Sequence, residues 1–367
     1  MKRLIVLALA CAWLLTACSG WATGEYISVE PHPTHAQISQ EAPESVKNYG
    51  ALCAALKNMI HNNSISGKIS AEEYDRAALE KDIPKAIDHI MSTDAIAAYA
   101  VESISYELGN MGNRRAVRIS ISYHPNRSDP RRMPSFQDMD QANELIYQAL
   151  DNCDAGIAFQ VESYTDTDFA LLVESYAEEY PQRVMEQPKV IAHIYPEAGE
   201  HRVVELVFTY QTNRESLRQM KEYVAPVFQA SRLNVVGEET QSSQFSRMYS
   251  FLAERNTIQL TSSITPAYSL LRYGVGDSKS FALVFAAMCR NANLECRVVS
   301  GTKDGQSHFW NMICQDGVHY HVDLLRNNPS QDLIRYTDSE MAGYVWDFDD
   351  YPACNHPQAN NLQEEQK

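Results

Sequence analysis

The chain changes its hydrophobic rhythm three times. An unbroken apolar run, Leu4 to Leu15, stands behind Lys2 and Arg3. It is too short to cross a bilayer, which takes ~20 apolar residues, and its charge-then-apolar order is that of a signal peptide. In the middle of the chain the period is two, as in Arg118-Ile-Ser-Ile-Ser-Tyr123. Such alternation marks half-buried strands. It predicts one pair over about 99–107 and 115–123, turned through Gly109 to Asn113, and a second over about 188–195 and 202–210, turned through Pro196 to Gly199. Helical spacing precedes each pair, at about 71–92 and 166–182. In the last third, Gly274 and Gly276 break structure, and then Phe281, Ala282, Phe285, Ala286 and Cys289 recur with the spacing of a buried helix. Three β-rich runs follow, Glu295 to Gly301, Ser307 to Gln315 and Val318 to Leu325.

The two strand pairs read as diverged copies. Ile121-Ser-Tyr123-His-Pro-Asn126-Arg127-Ser-Asp-Pro-Arg131-Arg-Met133 aligns with Phe208-Thr-Tyr210-Gln-Thr-Asn213-Arg214-Glu-Ser-Leu-Arg218-Gln-Met220 at one offset of 87 residues. Residues 49–235 are therefore expected to form an α+β domain of two αββ repeats. Arg114, Arg115, Arg118, Arg127, Arg131 and Arg132 concentrate positive charge here. An anion or cell-wall contact is one use for them; solvated hairpin and loop positions are the expectation, because charge runs usually face water.

Composition narrows the function classes. With 44% hydrophobic and 21% charged residues the chain can build a core, which excludes wholesale disorder. Its 31 Lys+Arg against 47 Asp+Glu give a net charge of -16, which argues against a nucleic-acid binder, since neutralising phosphates needs a basic face. The apolar run closes on Leu15-Thr16-Ala17-Cys18, small residues before a cysteine that resemble the bacterial lipobox. The resemblance implies a signal peptide over 1–17, acylation of Cys18 by a chain such as palmitate, and a protein held outside the cytoplasm on the bacterial cell membrane. An ordinary cleaved signal with a chance cysteine is the alternative. Loss of residues 1–17 removes Lys2 and Arg3 and no acid, taking the charge from -16 to -18. Anionic headgroups repel such a surface, so the anchor would hold against an electrostatic push. Residues 18–48, polar and carrying Pro31, Pro33 and Pro43, read as a tether.

Setting aside Cys11 and Cys18 leaves Cys53, Cys153, Cys289, Cys296, Cys314 and Cys354. None has metal-ligand spacing, disulfides are open to all six, and Cys289 in its apolar helix reads as a buried thiol.

The candidate chemistry begins at that helix. Asp277 or Ser278 can accept from its first-turn amides, which puts Ser278 at the positive end of the helix dipole. Asp316-Gly317 between the last two β-rich runs signals a two-residue type I′ hairpin. Residue 315 then faces 318, Trp310 stands opposite Asp323, and His308 is a diagonal neighbour on the same face, within reach of that carboxylate. An imidazole oriented by a carboxylate, near a nucleophile at a helix N-terminus, is the logic of acyl-transfer triads. Cysteine suits that position best, because dipole and imidazolium lower a thiol pKa; a hydroxyl needs a true general base.

Gly-Val-Gly-Asp-Ser278-Lys-Ser280-Phe-Ala, then Leu-Glu-Cys296-Arg-Val-Val-Ser-Gly-Thr, then Ser307-His-Phe-Trp-Asn, then Tyr-His-Val-Asp323 together resemble the core of the bacterial transglutaminase-like superfamily. Its members follow G-x-x-C-x-G-Y-A, I-x-C-x-x-V-x-G, G-H-A-W-N and W-x-H-V-D. The segment Asp338 to Cys354 is similar to the tail of exported, lipoprotein-type members, and the resemblance covers about 236–356. It implies an α+β domain in which an N-terminal helix packs on an antiparallel sheet, with His308 as triad histidine and Asp323 as its orienting acid. Ser278 falls where the family has its nucleophilic cysteine, and Ser280 and Ser307 stand where it has glycines.

Two functions follow. In the first, the transglutaminase-like domain is catalytically impaired, and its cleft, assigned to Trp310, Tyr273 and Asp277, binds peptide or cell-envelope material. In the second, Ser278, His308 and Asp323 form a working hydrolase or acyltransferase on amide or ester bonds. His319, His321 and Asp323 alternate beside His308, so a metal is conceivable, but the family pattern already accounts for two of them; the expectation is no metal and no cofactor. Gly276-Asp277-Ser278 also matches a lipase-type GDS string, in the wrong context. Phe309 and Asn311 point away from the His308 face, toward core or bracing roles. The run Tyr344 to Tyr351 reads as a closing strand with solvated acids, and 357–367 as a disordered tail.

Overall fold

The computed structural model describes residues 44–111, 114–253, 261–326 and 333–355. The expected signal peptide, Cys18, all but the end of the tether and the tail lie outside them. The described chain falls into two compact units, one containing residues up to Ile87 together with Val101–Pro125, the other Asp88–Ala100 and the chain from Asn126 onward.

The first unit opens with β1 (Glu44–Ser45), α1 (Tyr49–His61) and β2 (Ser66–Ser70). Asn48 caps α1 by accepting from the Ala51 amide, and Leu52, Ala55, Leu56 and Ile60 form its buried stripe at i, i+3, i+4 and i+8. The chain then runs through α2 (Arg76–Thr93), whose residues from Asp88 on fall in the second unit, and α3 (Ala95–Ala100), wholly in that unit, and returns to the first as β3 (Val101–Met111) and β4 (Arg114–Tyr123). The sheet order is β1-β2-β4-β3, with β1 parallel to β2 and the other pairs antiparallel.

In the second unit, β5 (Ser135–Asp138), α4 (Met139–Asp151), β6 (Gly156–Ser163), α5 (Phe169–Glu179), β7 (Lys189–Tyr195) and β8 (Arg202–Thr209) follow. Their sheet runs β5-β6-β8-β7, again with one parallel pair at the start. Both sheets are thus threaded alike. Each holds two strands and a helix beyond the αββ expected. β2 escaped the hydrophobic pattern for a physical reason: Ser66-Gly-Lys-Ile-Ser70 has one large apolar side chain, so no period exists to read, and its ladder to β4 places it.

The recurring Asn-Arg pairs are structural. Arg127 lies between the rings of Tyr99 and Tyr195, 5.1 and 4.6 Å from their centroids, and donates to the Tyr195 hydroxyl at 2.9 Å and to the Tyr99 carbonyl. Arg214 instead donates to Asp154 at 2.6 Å and to the Asn152 carbonyl at 3.0 Å, while Asn213 caps the helix that follows. Arg115 donates to the Tyr74 carbonyl, Arg118 pairs with Glu107 at 3.8 Å and Arg131 with Asp129 at 2.7 Å. Most of the arginine cluster is spent on local partners.

The last part of the chain contributes α6 (Arg214–Asn234), α7 (Gln241–Ala253), α8 (Pro266–Tyr273), α9 (Ser278–Asn291), β9 (Cys296–Lys303), β10 (Gln306–Gln315), β11 (Val318–Val322) and β12 (Tyr344–Trp346). Its antiparallel sheet runs β11-β10-β9-β12. Every residue of α9 from Ser280 to Cys289 is buried. A helix enclosed on all sides is a core helix, and each large apolar side chain so buried is worth ~1.5–3 kcal/mol. α9 shares its core with Leu217, Val224 and Phe228 of α6 and with Phe245 and Met248 of α7. α6 precedes the expected domain boundary at 235, yet it packs with the helix that follows that boundary.

Candidate functional site

Gly274 ends α8 in the left-handed region at φ 71°, its amide donating to the Leu270 carbonyl at 2.9 Å. Three residues later Asp277 caps α9: its Oδ1 accepts from the Ser280 amide at 2.9 Å and from the Ser280 hydroxyl at 2.7 Å. Asp277 is therefore a structural cap, and Ser278 is the first helical residue. Ser280, where the family has glycine, is buried and fills the space beside Gly276, whose added Cβ would lie 2.9 Å from the Ser280 Cβ.

The β10–β11 register is the one that the Asp316-Gly317 signal predicts. Gln315 faces Val318 and Asn311 faces Val322, around a turn with φ of 53° and 80°. One step beyond the ladder, Asp323 accepts from His308 Nε2 through Oδ2 at 2.9 Å. That leaves Nδ1 as the imidazole nitrogen available for a reacting proton. Phe309, the next residue on β10, donates its backbone amide to Ser278 Oγ at 3.2 Å. The structure thus brings Ser278, His308 and Asp323 into one neighbourhood.

Asp323 is 1% exposed and takes four donors. Oδ2 accepts from His308, from the Tyr344 hydroxyl at 2.5 Å and from Lys303 Nζ at 3.4 Å; Oδ1 accepts from the Leu325 amide at 3.0 Å. Burial pushes its pKa up, but the hydrogen bonds from His308 and Tyr344 outweigh it and hold the carboxyl below its ordinary value. Burial, followed by the hydrogen bond to Asp323 and then the charge of that carboxylate, raises the Tyr344 phenol. The sequence had offered Tyr344 only as part of a closing strand. β12 does close the sheet, with Tyr344 and Trp346 buried and Asp347, Asp349 and Asp350 exposed.

Trp310 corrects an expectation. Assigned to the cleft because it shares the His308 face, it is 0% exposed and cannot touch a ligand. Tyr344 and Trp346 pack edge-on against its ring at 5.2 and 5.8 Å, and it stacks on His308 at 6.2 Å. Strand alternation told which face the indole occupies but not that β12 covers that face. Tyr273 is 65% exposed and meets Tyr268 edge to face at 5.6 Å, so its ring partner is neither His308 nor Trp310. Asn311 braces structure as expected, donating to the Ala282 carbonyl at 2.9 Å and the Arg297 carbonyl at 3.3 Å.

A cavity of about 260 Å³ opens beside the N-terminus of α9. Its lining includes Asp277, Lys279 and Leu283 together with Glu178, Met185 and Glu186. Lys279 pairs with Glu178 at 2.5 Å and lies 5.3 Å over the Phe309 ring. Glu178, Met185 and Glu186 come from about 90 residues upstream and carry no motif, so sequence reading missed them.

The metal alternative separates into unrelated pairs. His319 lies 4.0 Å from Glu295, and His308 is committed to Asp323. His321, Asp338 and Cys354 do cluster, with ligand-type atoms within 4.8 Å of one another. The Trp310 indole N–H can only donate, and it donates to His321 Nδ1 at 3.0 Å, so Nε2 carries the proton and gives it to Asp338 at 2.9 Å. Both imidazole nitrogens are thereby used. The second Asp338 oxygen accepts from the Cys354 amide at 3.0 Å, and burial, then Asp338, pushes the Cys354 thiol up to about 12. The donor set suits a hydrogen-bonded brace rather than an ion. Burial, with the Cys296 thiol adding, also raises Cys289 well above the usual thiol range, and all six described cysteines are unpaired.

Residues 230–324 match the family model of the transglutaminase-like superfamily. Among solved structures, the chain is similar to a TGase at 9% identity, covering 46% of this chain and 50% of that one with a TM-score of 0.26. It is also similar to a candidate cysteine protease from Cytophaga hutchinsonii at 11% identity, covering 43% and 70% with a TM-score of 0.26. A candidate protease from Parabacteroides distasonis gives 7% identity, 60% and 35% coverage and a TM-score of 0.24. The alignments thus span about half the length of the first of these structures and about a third of the last. No curated protein matches the chain. The matched stretch, 230–324, holds Ser278, His308 and Asp323, so this segment of the chain is a transglutaminase-like domain by its family match.

Proposed function

We propose that the chain is an envelope lipoprotein, tethered through an acylated Cys18, whose transglutaminase-like domain binds peptide or cell-wall material with little or no turnover. The observation that carries this reading is the hydrogen bonding at Ser278. Its hydroxyl oxygen accepts from the Phe309 amide at 3.2 Å, whereas the His308 bond runs to Asp323. Where the family carries a cysteine, a thiolate could form near neutrality; a serine hydroxyl cannot, and must lose its proton to a base during attack. Swaps within a unit of this kind cost orders of magnitude in rate. On this reading the two like-threaded sheets are a diverged duplication, carried between anchor and binding domain.

A serine hydrolase or acyltransferase is the second reading. The intact His308–Asp323 pair at 2.9 Å favours it, since that is the orientation a general base requires.

Intact-mass labelling of the mature chain with a fluorophosphonate, beside Ser278→Ala, separates the two. No adduct, under conditions that label a control serine hydrolase, is the expected result. A single adduct on the parent that disappears in the alanine variant would instead establish the second reading.

A further inference from the structure

The transglutaminase-like match ends at residue 324, but the donors around Asp323 do not. Tyr344, on β12, is 8% exposed and sends its hydroxyl to the same Oδ2 that receives His308 Nε2. Its ring stands edge-on to the His308 imidazole at 5.8 Å. Its cross-strand partner Lys303 reaches that oxygen more loosely, at 3.4 Å. Oδ1 is already held by the Leu325 amide at 3.0 Å. The rotation of the carboxylate is therefore set by how Oδ2 divides its lone pairs among His308, Tyr344 and Lys303. With the phenol in place, one lone pair is occupied and the other is aimed at the imidazole. Without it, Lys303 is free to draw Oδ2 toward itself and away from Nε2.

We infer that Tyr344 is a positioning residue: its hydroxyl orients Asp323 so that His308 keeps its proton on Nε2 and presents Nδ1 to the reaction centre. The inference rests on reading His308 and Asp323 as the base and its orienting acid, but not on Ser278 being reactive.

The test reads the imidazole itself. In the full chain with ¹⁵N-labelled histidine, brought to a pH beyond which the imidazole ¹⁵N shifts stop changing, long-range ¹H–¹⁵N spectra give the tautomer of each ring. The parent is expected to show His308 as Nε2–H. Tyr344→Phe, which keeps the ring packing, is expected to shift the His308 tautomer ratio toward Nδ1–H by about fivefold, the equivalent of one ordinary hydrogen bond. His321, whose Nδ1 accepts from Trp310 at 3.0 Å, is expected to stay Nε2–H and so reports that the fold is intact. Lys303→Met removes the competitor and is expected to leave His308 as Nε2–H or to favour that form further. An unchanged His308 in Tyr344→Phe would overturn the inference. So would scrambling of His308 and His321 together, failure of that variant to fold, or a loss of Nε2–H in Lys303→Met, each of which makes the hydroxyl a fold contact rather than an orienting one. Because the readout ignores Ser278, fluorophosphonate labelling can fail or succeed without deciding it.

Discussion

Phe309 points its backbone amide at the hydroxyl oxygen of Ser278 across 3.2 Å, so the strand that carries His308 meets the first residue of α9 through its neighbouring residue. An acceptor is all that Ser278 needs to be for this contact. A thiol in its place would sit at the same positive helix end, close to a histidine already oriented by a carboxylate.

Ser278→Cys is accordingly expected to create a reactive thiol with an apparent pKa within ~3.5–7.5, the range of thiols at helix N-termini beside histidine. Iodoacetamide alkylation followed against pH and located by peptide mass measures it. Alkylation no faster than at the buried Cys289 would show that the helix end and His308 no longer act on that position.

Asp323→Asn should destabilise the fold by ~2–4 kcal/mol, because a buried acceptor with charged and neutral donors around it loses its charge. The dependence on pH has a fixed sign. The folded carboxyl is held below its unfolded value, so its contribution is fully present above that unfolded value near ~3.9 and is lost as pH falls through the folded value. Urea melts of both chains should therefore differ by a constant amount above about pH 5 and converge in stronger acid.

His321 should make the fold acid-sensitive at milder pH. Burial, against an opposing pull from Asp338, lowers its pKa below the ordinary histidine value, so the unfolded chain takes up protons first. Its contribution is complete above ~6.5 and declines as pH falls below that. In His321→Gln, the loss of stability between about pH 7 and 5.5 should be shallower than in the parent. A parent that keeps the same urea midpoint over that interval would rule the effect out.

At Gly301 both the β12 backbone and the Trp310 ring crowd the position a side chain would take. A Cβ there would approach the Val345 carbonyl to 2.2 Å and the Trp310 ring to 2.9 Å. Gly301→Ala is expected to cost ~2 kcal/mol or more by displacing β12, an overpacking effect. Near-ultraviolet circular dichroism should change with it, since Trp346 of β12 packs 5.8 Å from Trp310. An unchanged spectrum and melt would mean that the strand has slack.

How much of this was legible in the sequence depended on what each residue type leaves undecided. The His308–Asp323 pair could be placed because Asp316-Gly317 admits one tight turn, and a two-residue turn leaves the strand register no freedom. Ser278 could be placed because an acid after glycine, before an apolar helical stripe, marks a helix start. β2 could not, since Ser66-Gly-Lys-Ile-Ser70 has no alternation. Trp310 was set on the right face and given the wrong surroundings, because period two is blind to what lies over the face. Tyr344 carried no motif at all: a tyrosine in a three-residue edge strand looks like any other until its hydroxyl is seen on Asp323.

The site is spread along the chain in order, with Ser278 first, His308 and Asp323 next, and Tyr344 and Trp346 last. A chain cut before residue 344 would hold Ser278, His308 and Asp323 and still lack both the phenol on Asp323 and the cover over Trp310, which makes β12 the element that completes the site.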